Sequence, residues 1–381
     1  MLEEIPNRTF QHLKRLEMLD LSRNRLKVIG DNAFYNLPQL RVLLLSDNML
    51  PVVPAVPLSH VPHLAELSLG TNSFTTLVAH DLHPLVSLTE LDLAGAQLQN
   101  GLSPDSFSAL SGLRSLRLDD CGLETIPTEA LRVLERLEEL YLNRNMFSIL
   151  EAGSLDGNRR LQILEVVGCP MLERISSEAF KSTLDLRRVT IARNPKLWII
   201  PPGTFRFLTQ IFYLDLHANS LHSLQREVAV WNDIHTWLIH DNPIECNCSA
   251  AWLRDQLRSV NSTKPTLLCA SPPSLEGQQL AKTELSELSC GLGPATQGIV
   301  IGTVVVVALA IVIGVVVVLL YRNRRPLLRE MLKRPDWTSH NSNEWNGRNG
   351  SCTSRDLRGT YPHDYPEYIM AAHKPVPVTE L

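Results

Sequence analysis

The sequence predicts an α/β solenoid: one short strand per turn of chain, stacked into a single parallel sheet, with loops and short helices behind it. Three observations predict it. A nine-residue phrase typified by Leu137–Asn145, LEELYLNRN, recurs ten times, starting at Leu16, Leu40, Leu64, Leu88, Leu113, Leu137, Leu161, Leu186, Ile211 and Ile234. The steps between copies are 24, 24, 24, 25, 24, 24, 25, 25 and 23 residues, too regular for chance. A second apolar column runs at the same period through Phe10, Phe34, Leu58, Leu82, Phe107, Leu131, Leu155, Phe180 and Phe205.

Each position in the phrase has a physical reason. Residues 3 to 7 alternate outward and inward as a strand must, so the leucines at 4 and 6 point into the stack. One turn cannot bury them alone, and stacking neighbours creates a continuous core. The asparagine at 9 leaves the strand and offers its amide to backbone groups of adjacent turns. Asn24, Asn48, Asn72, Asn145, Asn194, Asn219 and Asn242 form this ladder; Cys121 and Cys169 replace it twice, and Ala96 breaks it. A period of 23–25 residues with this consensus resembles the leucine-rich repeat, which implies a curved horseshoe with its parallel sheet on the concave side.

Behind the sheet, the four prolines of 51–62 predict an extended segment, while TEALRVLERLEEL from Thr128 predicts a short helix. The chain opens inside a repeat, with Leu2, Ile5, Phe10 and Leu13 matching Leu26, Ile29, Phe34 and Leu37 one turn later. No basic and apolar leader precedes it. The expectation is a sequence truncated of its signal, its N-terminal cap and further repeats; the alternative is an isoform without them.

After Asn242 the pattern changes to NPIECNCSAAWLRDQL, followed by Cys269 and Cys290. Cys246, Cys248, Cys269 and Cys290 allow three disulfide pairings, among which sequence alone does not choose. A zinc site competes for the C-x-C, but it lacks a matching histidine or a second close pair. The segment resembles the C-terminal cysteine cap of extracellular leucine-rich-repeat proteins of the Slit, Nogo-receptor and Toll families. That resemblance implies bridges Cys246–Cys269 and Cys248–Cys290, with Trp252 and Leu253 closing the core.

Residues 298–320 run 23 positions without a charge, and a helix of that length spans roughly 35 Å, enough for a hydrocarbon core. Arg322, Arg324, Arg325, Arg329, Lys333 and Arg334 follow, whereas no Lys or Arg lies between Lys282 and the span. The positive-inside rule therefore predicts a single-pass plasma-membrane protein with the repeats outside and the C-terminus in the cytoplasm. The expected organisation is repeats over 1–244, cap over 245–290, linker over 291–297, span over 298–320 and a disordered tail over 321–381. The tail holds candidate phosphorylation sites at Tyr361, Tyr365 and Tyr368. It ends in Thr379, Glu380 and Leu381, a pattern that resembles a ligand for PDZ scaffold domains. Sequons outside the membrane make Asn7 and Asn261 the glycosylation candidates; Asn247 lies between two cysteines.

With 44% hydrophobic and 20% charged residues and a net charge of −4, nothing points to nucleic acid as a partner. No nucleophile elbow, phosphate-binding glycine loop or metalloprotease helix is present, and an open sheet is a poor place for convergent catalytic groups. The chain reads as a binding protein, not an enzyme, with no cofactor or metal. On the predicted concave face, Arg117, Tyr141 and Glu165 share position 5 of successive repeats, and aromatic and arginine side chains are the residues enriched at binding hot spots. His217 and His240 share position 7 near Asp215 and Asp241; a weak metal or pH-sensing site competes there with two solvated histidines.

Repeats, cap, span and short tail together resemble the Tartan and Capricious family and trophoblast glycoprotein. Lack of an immunoglobulin domain separates the chain from the Kekkon type, and lack of a long signalling tail from Toll. The resemblance implies recognition or adhesion between cells through an extracellular protein partner, with scaffold anchoring by the tail. The alternative is an innate-immune or growth-factor co-receptor for a soluble ligand, and a third reading is a passive structural glycoprotein.

Overall fold

Ten strands pair in chain order into one parallel sheet. They are β1 (Met18–Asp20), β2 (Val42–Leu44), β3 (Glu66–Ser68), β4 (Glu90–Asp92), β5 (Ser115–Arg117), β6 (Glu139–Tyr141), β7 (Ile163–Val167), β8 (Arg188–Ala192), β9 (Tyr213–Asp215) and β10 (Thr236–Leu238). The computed structural model from which they are taken describes residues 1–98, 102–259, 266–290 and 294–331. These fall into two units, Met1–Gln297 and Gly298–Leu381.

The register preserves the repeat, so residues at one position line up across the sheet. Asp92 stands beside Arg117, Arg117 beside Tyr141, Tyr141 beside Glu165, Glu165 beside Thr190 and Thr190 beside Asp215. From β2 onward the inward residues at positions 4 and 6 are buried, and the column from Phe34 to Phe205 closes the core from behind. Phe10, Leu16 and Leu19 are only half-buried, because β1 is an edge strand packed on one side.

The asparagine ladder is the hydrogen-bonding frame of the stack. Asn145, fully buried, donates to Leu118 O (2.8 Å) one turn back and to Leu142 O (3.0 Å), and its Oδ1 accepts the N–H groups of Cys121 and Leu123. Asn48, Asn72, Asn219 and Asn242 repeat the two-carbonyl contact. Where cysteine replaces asparagine the thiol takes over as donor, Cys121 to Leu93 O (3.3 Å) and Cys169 to Leu142 O (3.5 Å). Cys121 lacks an amide oxygen, and its own carbonyl accepts the N–H of Leu98 instead. Ala96 is buried with no side-chain donor, so the ladder skips that rung.

The residue before each rung, position 8, is left-handed in all ten repeats, with φ between 50° and 76°. Only Gly95 and Gly168 are glycines; Thr71 and Ala218 adopt the same conformation at a cost. The N–H of position 8 itself is tied to the next turn, as in Arg23 N to Ser46 O and Asp47 N to Gly70 O, which holds the turn in place.

Behind the sheet one expectation needs correction, and the short helix expected from Thr128 is present as α3 (Thr128–Arg132). The proline segment is not extended throughout: α1 (Ala55–Leu58) forms within it, because Pro54 precedes the first turn and Pro57 falls within that turn, where little is lost with its N–H. After α3, Leu134 and Leu137 are buried in the turn that returns to β6. A third short helix is α2 (Ala79–Leu82), where Asp81 accepts the N–H of Val78.

The last turn is closed by α4 (Ala251–Ser259) and its flanking loops. Disulfides join Cys246 to Cys269 and Cys248 to Cys290, with Cα separations of 5.5 and 4.8 Å. Leu253 is buried, and Trp252 packs on Trp231 while its indole N–H donates to Leu224 O (3.1 Å). Arg254, also buried, donates to Thr283 O and pairs with Asp255, which ties α4 to the loop before Cys290.

The long helix α5 spans Pro294–Met331, most of it within the second unit. Its stretch Ile301–Arg322 has mean hydropathy 3.4 and is exposed along its length, and by length and composition it is able to cross a membrane. The tail residues singled out from sequence, Tyr361, Tyr365, Tyr368, Thr379, Glu380 and Leu381, lie outside the described residues.

Candidate functional site

The outward face of the sheet carries paired aromatic and charged side chains. Because β5 and β6 are in register, Arg117 and Tyr141 meet: the guanidinium lies over the ring, 4.3 Å from its centroid. Such a contact is worth about 0.5–2 kcal/mol, the upper end when dry. The Tyr141 hydroxyl donates to Glu139 (3.0 Å), which also accepts from Ser115 (3.2 Å). Burial, reinforced by the bond to Glu139, pushes the phenol up to about 12.

Glu165 stands beside Tyr141 in the sheet, but its carboxylate accepts from Asn143 (3.4 Å) rather than from the phenol. Asn143 is the hinge of this region: its N–H donates to Asp119 (2.8 Å), and its Oδ1 accepts the N–H of Val167 (2.8 Å). Asp119 is buried, and burial raises its carboxyl above the usual range despite the Asn143 amide and Arg117, whose nearest nitrogen is 3.6 Å away. The structure therefore unites Arg117 with Tyr141, holds Glu165 alongside, and adds Glu139, Asn143 and Asp119.

A second pair of the same kind lies on β8 and β9. Arg188 covers Tyr213 at 4.6 Å, and the Tyr213 hydroxyl donates to Asp215 (3.2 Å). Burial raises this phenol too, with Asp215 adding to it. The other oxygen of Asp215 accepts from Nδ1 of His217 (2.7 Å), whose Nε2 accepts from Arg193 (3.3 Å). The His217 ring stacks on His240 at 4.8 Å. Among the described residues no group of three or more histidine, cysteine or acidic side chains could hold a metal ion. The repeat also puts Arg188 and Tyr213 on this face, at position 3 of successive turns. The signal was available, since each pair is an arginine followed one repeat later by a tyrosine at the same position.

Tyr141 and Tyr213 are three strands apart, roughly 14 Å at ordinary strand spacing. Half-buried Ile163 lies between them on β7. Toward β1 the face turns acidic, with Glu66 beside Glu90; burial and then Glu90 and Asp92 raise the Glu66 carboxyl.

Of the remaining sequence-predicted sites, Asn7 is exposed and its Oδ1 accepts the N–H of Asn32 (2.9 Å). Asn261 lies outside the described residues. Cys121 and Cys169 are free and buried, and burial raises their thiols to about 12 and about 11.

Comparison with known families now bears on this geometry. The pattern described as "Leucine rich repeat" matches residues 1–50 and 111–171, and that described as "Leucine rich repeat C-terminal domain" matches residues 266–291. The fold is a leucine-rich-repeat solenoid. Human CD180 antigen is 30% identical to this leucine-rich-repeat chain over 209 residues, which is 53% of the chain and 31% of CD180. The crystal structure of the mouse RP105/MD-1 complex has a similar fold, with TM-score 0.61 and 23% identity over 71% of this chain and 50% of that one. The TLR13–ssRNA13 complex aligns with TM-score 0.52 and 21% identity over 74% and 48%. The chain thus spans about a third to a half of the length of these relatives. The two solved structures bear on fold alone.

Proposed function

We propose that this chain is a single-pass cell-surface receptor that holds an extracellular protein partner on the outward face of its sheet, centred on Arg117 and Tyr141. The observation that carries the proposal is the stacked Arg117–Tyr141 pair on the outward face of the sheet: a pre-ordered aromatic ring, half-buried, with an exposed cation above it. Residues 1–244 supply the face, 245–290 close it, 298–320 cross the membrane, and the arginines after the span keep the tail of 321–381 in the cytoplasm. Thr379, Glu380 and Leu381 anchor that tail to a scaffold domain. Asn7 and Asn261 carry glycans.

Capture of a separate protein is favoured over adhesion between cells. Mouse RP105, similar in fold to this chain, was solved in complex with MD-1, a second protein. The adhesion reading rests on the resemblance to the Tartan and Capricious type.

The test displays the full chain on non-adherent cells. They are mixed with bare cells and with each other, then incubated with labelled secreted proteins. Saturable capture that is lost in Arg117→Ala with Tyr141→Ala supports the proposal. Clustering of cells without capture replaces it with adhesion. Neither result leaves a passive glycoprotein.

A further inference from the structure

We infer that the flank of the solenoid around Arg132, Arg159 and Arg160 is a binding site for a sulfated polysaccharide. The inference rests on the proposed extracellular placement of the repeats, and the site is separate from the sheet face. A cleft of about 410 Å³ is lined by Arg132, Glu135, Gly157, Arg159 and Arg160.

The backbone builds this cleft. Asn158 is buried and donates to Leu131 O (2.8 Å) and Leu134 O (3.2 Å) at the end of α3, drawing one turn onto the other. Gly157, at φ 100°, permits the approach, since a Cβ there would lie 2.6 Å from Arg132 O. The result places Arg159 and Arg160 beside Arg132.

Of the nearby acids, Glu138 is paired with Arg114 and Glu129 with Arg132. Among the described residues, Arg159 and Arg160 have no carboxylate within ion-pair distance; with Arg132 held by Glu129, two unpaired guanidiniums face Glu135, the one acid lining the cleft. In a chain of net charge −4 this is a local reversal of sign.

Ligand chemistry follows from the lining. Planar guanidiniums bind tetrahedral oxyanions through paired N–H donors. No aromatic side chain lines the cleft, so nothing there stacks on a nucleic-acid base. The neighbouring cavity of about 800 Å³ shares Arg159 and holds Lys181, but Lys181 pairs with Glu178, and Asp156 and Asp185 leave its lining net acidic. The disulfide-bridged cap belongs to an oxidising compartment, where the polymeric oxyanion at a cell surface is a sulfated polysaccharide.

The experiment passes the full chain in detergent over immobilised heparin and over fully desulfated heparin, with elution by salt. Arg159→Glu with Arg160→Glu is compared with Lys14→Glu with Arg15→Glu, the same charge change at the same place in the first repeat. Retention on heparin only, weakened about tenfold or more by the first variant and less than about twofold by the second, supports the site. Equal weakening by both variants, retention on the desulfated chain, preferential binding of single-stranded RNA, or no retention overturns it. Arg159→Gln with Arg160→Gln, checked for an unchanged elution volume on gel filtration, provides the same readout without charge reversal. Failure here leaves the sheet-face proposal intact, because capture by the Arg117→Ala, Tyr141→Ala variant is read separately.

Discussion

Arg117 on β5 and Tyr141 on β6 form one unit on the open sheet, guanidinium over ring at 4.3 Å, with the phenol bonded to Glu139 behind it. Arg188 and Tyr213 repeat that unit roughly 14 Å away. Pairs of this kind keep an aromatic side chain in one orientation before any partner arrives, which lowers the ordering cost of binding.

Tyr141→Ala is therefore expected to weaken partner binding by about 2 kcal/mol, near thirtyfold, while Tyr141→Phe keeps the stack and costs less than about 1 kcal/mol. Titration of partner onto cells displaying each variant checks this. Equal losses for both variants would place the energy in the hydroxyl rather than in the stacked ring.

Asn145→Ala removes two donor contacts and leaves the buried N–H groups of Cys121 and Leu123 without their acceptor. The expected loss is about 2–4 kcal/mol. Asn145→Cys retains one donor, as Cys121 and Cys169 do, and is expected to cost less. Urea midpoints of the three proteins provide the comparison.

Gly157→Ala meets two penalties at once, a left-handed φ and a Cβ 2.6 Å from Arg132 O. A loss of about 2–4 kcal/mol in stability is expected. An unchanged melting temperature would show that the turn before Asn158 relaxes freely.

Cys121 and Cys169 titrate near 12 and 11 in the fold, because burial opposes the thiolate, against about 8.5 in an unfolded chain. The folded form thus holds both protons over a range where the unfolded form has lost them. Their contribution to stability is complete below about pH 8.5 and falls as pH rises toward 11 and 12. Both thiols are expected to resist alkylation at pH 8 until urea unfolds the chain. Rapid labelling of the folded protein would contradict the burial argument.

Much of this molecule was legible in the repeat. Leucines at positions 4 and 6, asparagine at 9 and the apolar column behind them each follow from one local constraint repeated ten times. That is why register and core were readable, and why Arg117 and Tyr141 could be placed side by side. Other features depend on contacts that no periodicity records. Glu165 bonds Asn143 rather than Tyr141 because Asn143 bridges three turns. The short helix over Ala55–Leu58 forms because two prolines fall where helices tolerate them. Asn158 and Gly157 draw the arginine cleft together through backbone carbonyls, a contact absent from any side-chain pattern.

The most direct test of the sheet-face claim is site-specific photo-crosslinking on living cells. A benzophenone amino acid replaces Ile163, between the two arginine–tyrosine pairs, or Lys181, which lines the cavity of about 800 Å³ behind the sheet. The account predicts a protein adduct from position 163 that disappears with Tyr141→Ala, and none from position 181. Adducts from both positions, or an adduct at 163 indifferent to Tyr141→Ala, would contradict it.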